Sequence, residues 1–170
     1  MTIQRSKGYA TRPTLSVEKI GQLIAFVKKI KPDVICMVDN CYGEFVEKIE
    51  PTDVGADMIV GSLIKNPGGG LAPIGGYIVG RKDCIDNASY RLSAPGLGKE
   101  VGASLGLNQQ LFQGFFLSPT VVAGALKSAI FCRKYLRAAG IFCSSKRHRV
   151  TPRYYSGSRT WNTGRCHRIL

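Results

Sequence analysis

Two short apolar runs, each followed by a residue that can do chemistry, constrain this chain more than any other feature. Val34-Ile35-Cys36-Met37-Val38 leads into Asp39, and Met58-Ile59-Val60-Gly61-Ser62-Leu63-Ile64 leads into Lys65. Runs of this length suit buried strands. If the two are parallel strands of one α/β sheet, the acid and the amine emerge at the same edge, the carboxyl ends where such sheets bind ligands.

The surrounding chain reads as the rest of such a sheet. Val17, Ile20, Leu23, Ile24, Val27 and Ile30 recur at helical spacing, with Ser16 or Thr14 able to cap the start and Pro32-Asp33 to stop it. Pro51 to Asp57 is a loop with a short helical turn, and Gly75 to Gly80 a third strand bounded by glycines. Residues 101–116 and 121–136 read as two helices broken at Ser118-Pro119, the second ending at Gly140. Thr2 to Pro13 reads as a loop or the exit from a strand. The expected fold class is α/β, a mainly parallel sheet with flanking helices, over residues 1–141.

At 170 residues and 44% hydrophobic content, one domain with a real core is the default. No uninterrupted apolar stretch reaches membrane-spanning length and no secretion signal opens the chain, so a soluble cytoplasmic protein is expected. Six cysteines are scattered without a C-x-x-C pair, and several sit in apolar runs where a free thiol acts as a small hydrophobe. His148 and His167 have no cysteine at ligand spacing, so no metal site is expected.

The net charge of +13 resembles a nucleic-acid signal until its distribution is considered. Residues 141–170 hold seven basic residues and no acid, so more than half of the excess lies in the last thirty positions. That tail has no helical or alternating period. It shows no recognisable nucleic-acid motif, and Tyr154, Tyr155 and Trp161 are too few for a stacking platform. A non-enzymatic basic binding module is therefore the weaker alternative, and no nucleic-acid or membrane partner is expected.

A lysine at a strand's end, with Ser62 three residues before it and glycines after it, suits Schiff-base chemistry. The amine condenses with an aldehyde cofactor, while a hydroxyl and loop amides hold the cofactor's phosphate. A carboxylate on the neighbouring strand can pair with a protonated pyridine nitrogen. Each piece also has a plainer reading: the acid as a turn residue, the lysine as a surface charge, the glycines as a turn.

The joint pattern is more specific. V-D-N (38 to 40), Pro51, G-A-D (55 to 57), S-x-x-K (62 to 65) and a following G-G resemble the active-site half of the Cys/Met-metabolism branch of fold-type-I pyridoxal-phosphate enzymes. DNCYGEF, GSLIKNPGGGLAP-GGYI-GR, YRL-APG-GKEVGA and QRS-GY--RP resemble more closely the bacterial aluminium-resistance, methionine-gamma-lyase-like proteins. The resemblance runs from about Ile3 to Ile141. It implies Lys65 as the lysine that carries pyridoxal 5'-phosphate and later acts as the base, Asp39 as the partner of the pyridine nitrogen, and Ser62 as a phosphate ligand.

It further implies a carbon-sulfur lyase that eliminates a β- or γ-substituent from a sulfur-containing amino acid, in a homodimer or homotetramer. Aminotransferase or decarboxylase chemistry is the alternative on the same cofactor. Better-known lyases of the branch carry an aromatic residue and Gly-His after the lysine, where this chain has Asn66-Pro67-Gly68-Gly69-Gly70. Family members are also longer, so residues 1–141 are expected to be a partial large domain, inactive alone. Codons exist for Tyr154 to Leu170 that read IIQAVEPGTPEGVIAF in another frame, similar to the family's continuation. A frameshift near residues 142–150 is therefore the expected origin of the tail, and an uninterrupted frame in independently sequenced DNA would contradict it.

Overall fold

The computed structural model describes residues 1–140 apart from positions 11, 93, 101 and 103. The basic tail, with Cys143 and Cys166, lies outside the described residues. Four strands form one sheet in the order β1 (Thr2–Gln4), β2 (Met37–Asp39), β3 (Met58–Ser62) and β4 (Gly76–Gly80). β1 pairs with β2 and β2 with β3 in parallel, whereas β4 runs antiparallel to β3. The sheet is thus mixed. Between β3 and β4 the chain makes only a short 3-10 turn at Asn66–Gly68, so no helix carries it back across the sheet.

The first crossover is the helix α1 (Val17–Ile30), and its sequence accounts for both ends. Ser16 caps it by accepting the Lys19 N–H at 3.3 Å, Glu18 lies in the first turn, and Lys28 and Lys29 lie in the last. Its stripe of Val17, Ile20 and Ile24 is fully or nearly fully buried. Ile20 and Ile24 pack with Ile3, Cys36, Val38, Ala56 and Ile59 to make the core. The two runs that opened the sequence reading therefore do form adjacent parallel strands. Cys36 and Cys84 are buried free thiols, packed as small hydrophobes.

Asp57 ties the far end of the sheet together. It accepts the Cys36 N–H at 2.8 Å and pairs with Lys28 at 2.9 Å and Arg81 at 2.9 Å. Burial pushes its carboxyl up, but these three donors outweigh burial and hold it below its ordinary value of 3.8. Its contribution to stability is complete above pH 3.8 and fades as the pH falls through the lower folded value. Asp57→Ala is expected to cost about 2–4 kcal/mol at pH 7, read from urea unfolding, with the difference from the parent shrinking below pH 3.8.

One helix was not anticipated from the sequence and another departs from the expectation. α2 (Lys82–Leu92) buries only Cys84, Ile85 and Ser89, a stripe too sparse to announce itself by periodicity. α3 (Asn108–Ala138) is one helix where two were expected, with Pro119 inside it. Its buried stripe, Gly114, Ser118 and Val122, spans the proline and docks on the Asn66–Gly68 turn, so both halves are held on one ridge. The expectation that no stretch reaches membrane-spanning length is also corrected. By length and composition α3 could cross a membrane, and only 11% of its most apolar window is buried. Splitting it at Pro119 hid that length.

Candidate active site

Asp39 ends β2, and its Oδ1 accepts the Cys41 N–H at 3.1 Å, which turns the chain sharply. Asn40 continues the pairing to β3 through its N–H to the Val60 carbonyl at 2.9 Å and is fully buried. Tyr42 and Phe45 then take φ of 67° and 61°, in the left-handed region that side chains resist. Such strain persists only where the surroundings fix it.

A buried polar network does the fixing. Arg5, 2% exposed, donates to Asn40 Oδ1 at 2.7 Å, Glu47 Oε1 at 2.7 Å and Glu50 Oε2 at 3.4 Å. Asn40 Nδ2 donates to Glu50 Oε2 at 3.0 Å, and the Phe45 N–H to Glu50 Oε1 at 3.1 Å. Gly43 is required beside this network, because a Cβ there would lie 2.4 Å from Arg5 Nη1. Burial pushes the Glu50 carboxyl up, with the bonds from Asn40, Phe45 and Arg5 pulling against it.

Glu44 is buried on the other side of the turn, and the Tyr77 hydroxyl donates to its Oε1 at 2.7 Å. Burial raises the Glu44 carboxyl against that bond. Tyr77 is itself held far above the ordinary phenol range by burial and the neighbouring Glu44 charge.

Lys65 lies beyond the end of β3, its N–H bonded to the Ser62 carbonyl at 3.3 Å. Its Nζ sits 4.7 Å from the centroid of the Tyr42 ring. Burial works against the ammonium, but the Cys41 sulfur, with Tyr42 and Asp39, outweighs it and holds Lys65 above its usual value. The Cys41 thiol is raised by burial and by Asp39, with Lys65 opposing. Asp39, Cys41 and Tyr42 thus all contribute to the electrostatic setting of the amine. Ser62, half-buried, pairs with Gly76 in β4 on the same strand end.

An open cleft of about 310 Å³ lies against the amine, walled by Tyr42 and Asn66 on one side and Val121, Val122 and Leu126 of α3 on the other. Gly69 and Gly70 line its floor with φ of 55° and 80°. A depression of about 410 Å³ beside β1 is lined by Arg12 but not by Lys65. Sequence reasoning did not assign roles to Cys41, Tyr42, Glu44, Asn66 or Tyr77. The DNCYGEF and Lys-Asn-Pro strings contained four of them, but their contacts arise only from the fold.

The chain is 54% identical over 144 residues to the uncharacterized protein YnbB of Bacillus subtilis (strain 168), covering 85% of this chain and 34% of that protein. It is 49% identical over 148 residues to an uncharacterized 33.9 kDa protein of Lactobacillus delbrueckii subsp. bulgaricus, covering 87% of this chain and 48% of the relative. The chain therefore spans less than half the length of these curated relatives.

Among solved structures, a candidate cystathionine beta-lyase involved in aluminum resistance from Listeria innocua superposes with a TM-score of 0.79 at 58% identity, over 82% of this chain and 34% of its own. A carbon-sulfur lyase involved in aluminum resistance from Clostridium novyi NT gives 0.76 at 52% identity, over 82% and 32%. The family model for methionine gamma-lyase matches residues 1–154, and the chain belongs to that family.

Proposed function

We propose that residues 1–141 form the lysine-bearing part of a pyridoxal-phosphate site in a carbon-sulfur lyase that acts on a sulfur-containing amino acid. The observation that carries this reading is Lys65 at the cleft, on the segment that follows β3, with Asp39 ending the adjacent parallel strand and contributing to the electrostatic setting of the amine. The donor set fits the cofactor: an amine for its aldehyde, a carboxylate for its ring nitrogen, and the Ser62 hydroxyl for its phosphate. The names of the solved relatives support the lyase class. When bound, the cofactor supplies an electron sink for the carbanion left by proton removal.

The chain's own residues do the rest. Lys65 is cationic at neutral pH, so it must lose its proton before it can act as nucleophile or base. The Cys41-Tyr42-Asp39 environment that favours the ammonium makes that proton loss the pH-sensitive step. Val121, Val122 and Leu126 keep one wall of the cleft apolar. Among the described residues lining the cleft only Lys65 is charged, so they offer no second cation to a substrate carboxylate. We therefore expect this chain alone to bind the cofactor without turning over substrate.

The test is a visible titration of the full chain with pyridoxal phosphate. Asp39→Ala is expected to weaken binding roughly ten- to a hundredfold, the worth of a charge-assisted hydrogen bond. Unchanged affinity would remove Asp39 from the site, and α-keto acid release from methionine or cystathionine by the loaded chain would overturn the claim of inactivity.

We further propose that the complete protein is a homo-oligomer. α3 leaves Phe116 82%, Phe131 69% and Tyr135 66% exposed, more apolar surface than a helix docked on its own domain would show. Sedimentation of a full-length relative as a monomer would count against it.

A further inference from the structure

The position of Lys65 is not set by the strand that precedes it. β3 ends at Ser62, and Lys65 itself has φ of −100° and ψ of −139°, outside regular structure. Whatever fixes the amine must hold the segment that follows. Two ties do so. On one side Ser118 Oγ lies 2.5 Å from the Pro67 carbonyl oxygen and 2.7 Å from that of Gly114. On the other, Asn66 Nδ2 donates to the Glu44 carbonyl at 3.0 Å.

The second tie is the informative one, because Glu44 belongs to the turn that begins at Asp39. Glu44 is 5% exposed and is gripped at Oε1 by the Tyr77 hydroxyl. The pair fits only because residue 61 is glycine: a Cβ there would lie 2.4 Å from Tyr77 Cε1 and 2.6 Å from Glu44 Oε1. The other carboxylate oxygen, Oε2, is buried without a hydrogen-bond partner among the described residues. The Tyr77 contact fixes residue 44 in place, and its backbone carbonyl is the anchor that receives Asn66.

We propose that Asn66 is a positioning residue for Lys65: by donating its side-chain amide to the anchored Glu44 carbonyl, it ties the lysine loop to the loop that carries Asp39, Cys41 and Tyr42. The tie keeps Nζ over the Tyr42 ring. The inference deepens the proposed cofactor role of Lys65, but its primary readout does not depend on cofactor.

The experiment is competitive acetylation of the full chain with acetic anhydride between pH 7 and 12, with the reactivity of Lys65 read by peptide mass spectrometry. Lys65 of the parent is expected to titrate above an ordinary lysine. Asn66→Ala should lower that midpoint by about half a pH unit, the size an exposed cation–π contact supports. Asn66→Gln, which keeps the donor, should recover part of it. Tyr77→Phe removes the grip on Glu44 but keeps the ring, and should shift Lys65 in the same direction by less.

An unchanged Lys65 midpoint in folded Asn66→Ala overturns the proposal. If that variant does not fold, an unchanged midpoint in Tyr77→Phe overturns it instead. A covalent pyridoxal-phosphate adduct on Lys65 with unmoved midpoints in the variants leaves the cofactor reading and removes the positioning role. Moved midpoints with no adduct do the reverse.

Discussion

Arg5→Met is expected to cost about 3–5 kcal/mol, the largest loss of any single substitution considered, and to leave much of the chain unfolded at 25 °C. Methionine fills most of the volume, so the loss measures the charge and its bonds rather than a cavity. Glu47, Glu50 and Asn40 all point at the guanidinium. Without it two partly buried carboxylates face each other with no cation between them. Arg5→Lys should recover only part of the loss, because a point charge on a flexible stem cannot serve three acceptors at once. Urea unfolding followed by circular dichroism decides it; a loss under about 1 kcal/mol for the methionine variant would show that the network is decorative.

Gly114→Leu is expected to separate α3 from the lysine loop. A Cβ at 114 would lie 2.2 Å from the Gly68 carbonyl oxygen, and one at Gly69 would lie 2.4 Å from the Gly114 oxygen, so two backbones meet with no room for side chains. Overpacking typically costs about 1–3 kcal/mol, and here the obstacle is backbone on both sides, so the upper end is expected. The α3 wall of the cleft then moves away from Lys65. Amide hydrogen exchange reports this directly: residues 66–72 should exchange faster in Gly114→Leu, and unchanged protection there would contradict the packing described.

The strands were legible because they rest on short-range rules. Apolar runs ending at Val38 and Ile64 contain two adjacent parallel strands, the second ending at Ser62, and the stripe from Val17 to Ile30 forms α1. α3 was misread because Pro119 is a strong local signal. Its effect is overridden by a tertiary contact, the docking of Gly114, Ser118 and Val122, that no local pattern records. Likewise Glu44, Tyr77 and Gly61 lie far apart in sequence or in unlike contexts, and nothing but the fold brings the hydroxyl, the carboxyl and the missing Cβ together. Arg5 lies in a segment read as a loop or the exit from a strand, yet it is among the most buried side chains of the described residues. A buried arginine is visible from sequence only once its acidic partners, here more than forty residues away, are known.

The most direct test of the central claim is to trap the cofactor on the protein. The full chain is incubated with pyridoxal phosphate, reduced with borohydride and mapped by peptide mass spectrometry. The account predicts one dominant modified residue, Lys65, with the label falling sharply in Asp39→Ala and no other lysine replacing it in Lys65→Ala. Label spread over the exposed lysines of α1, or a Lys65 adduct indifferent to Asp39, would contradict the claim that the two strand ends form one site.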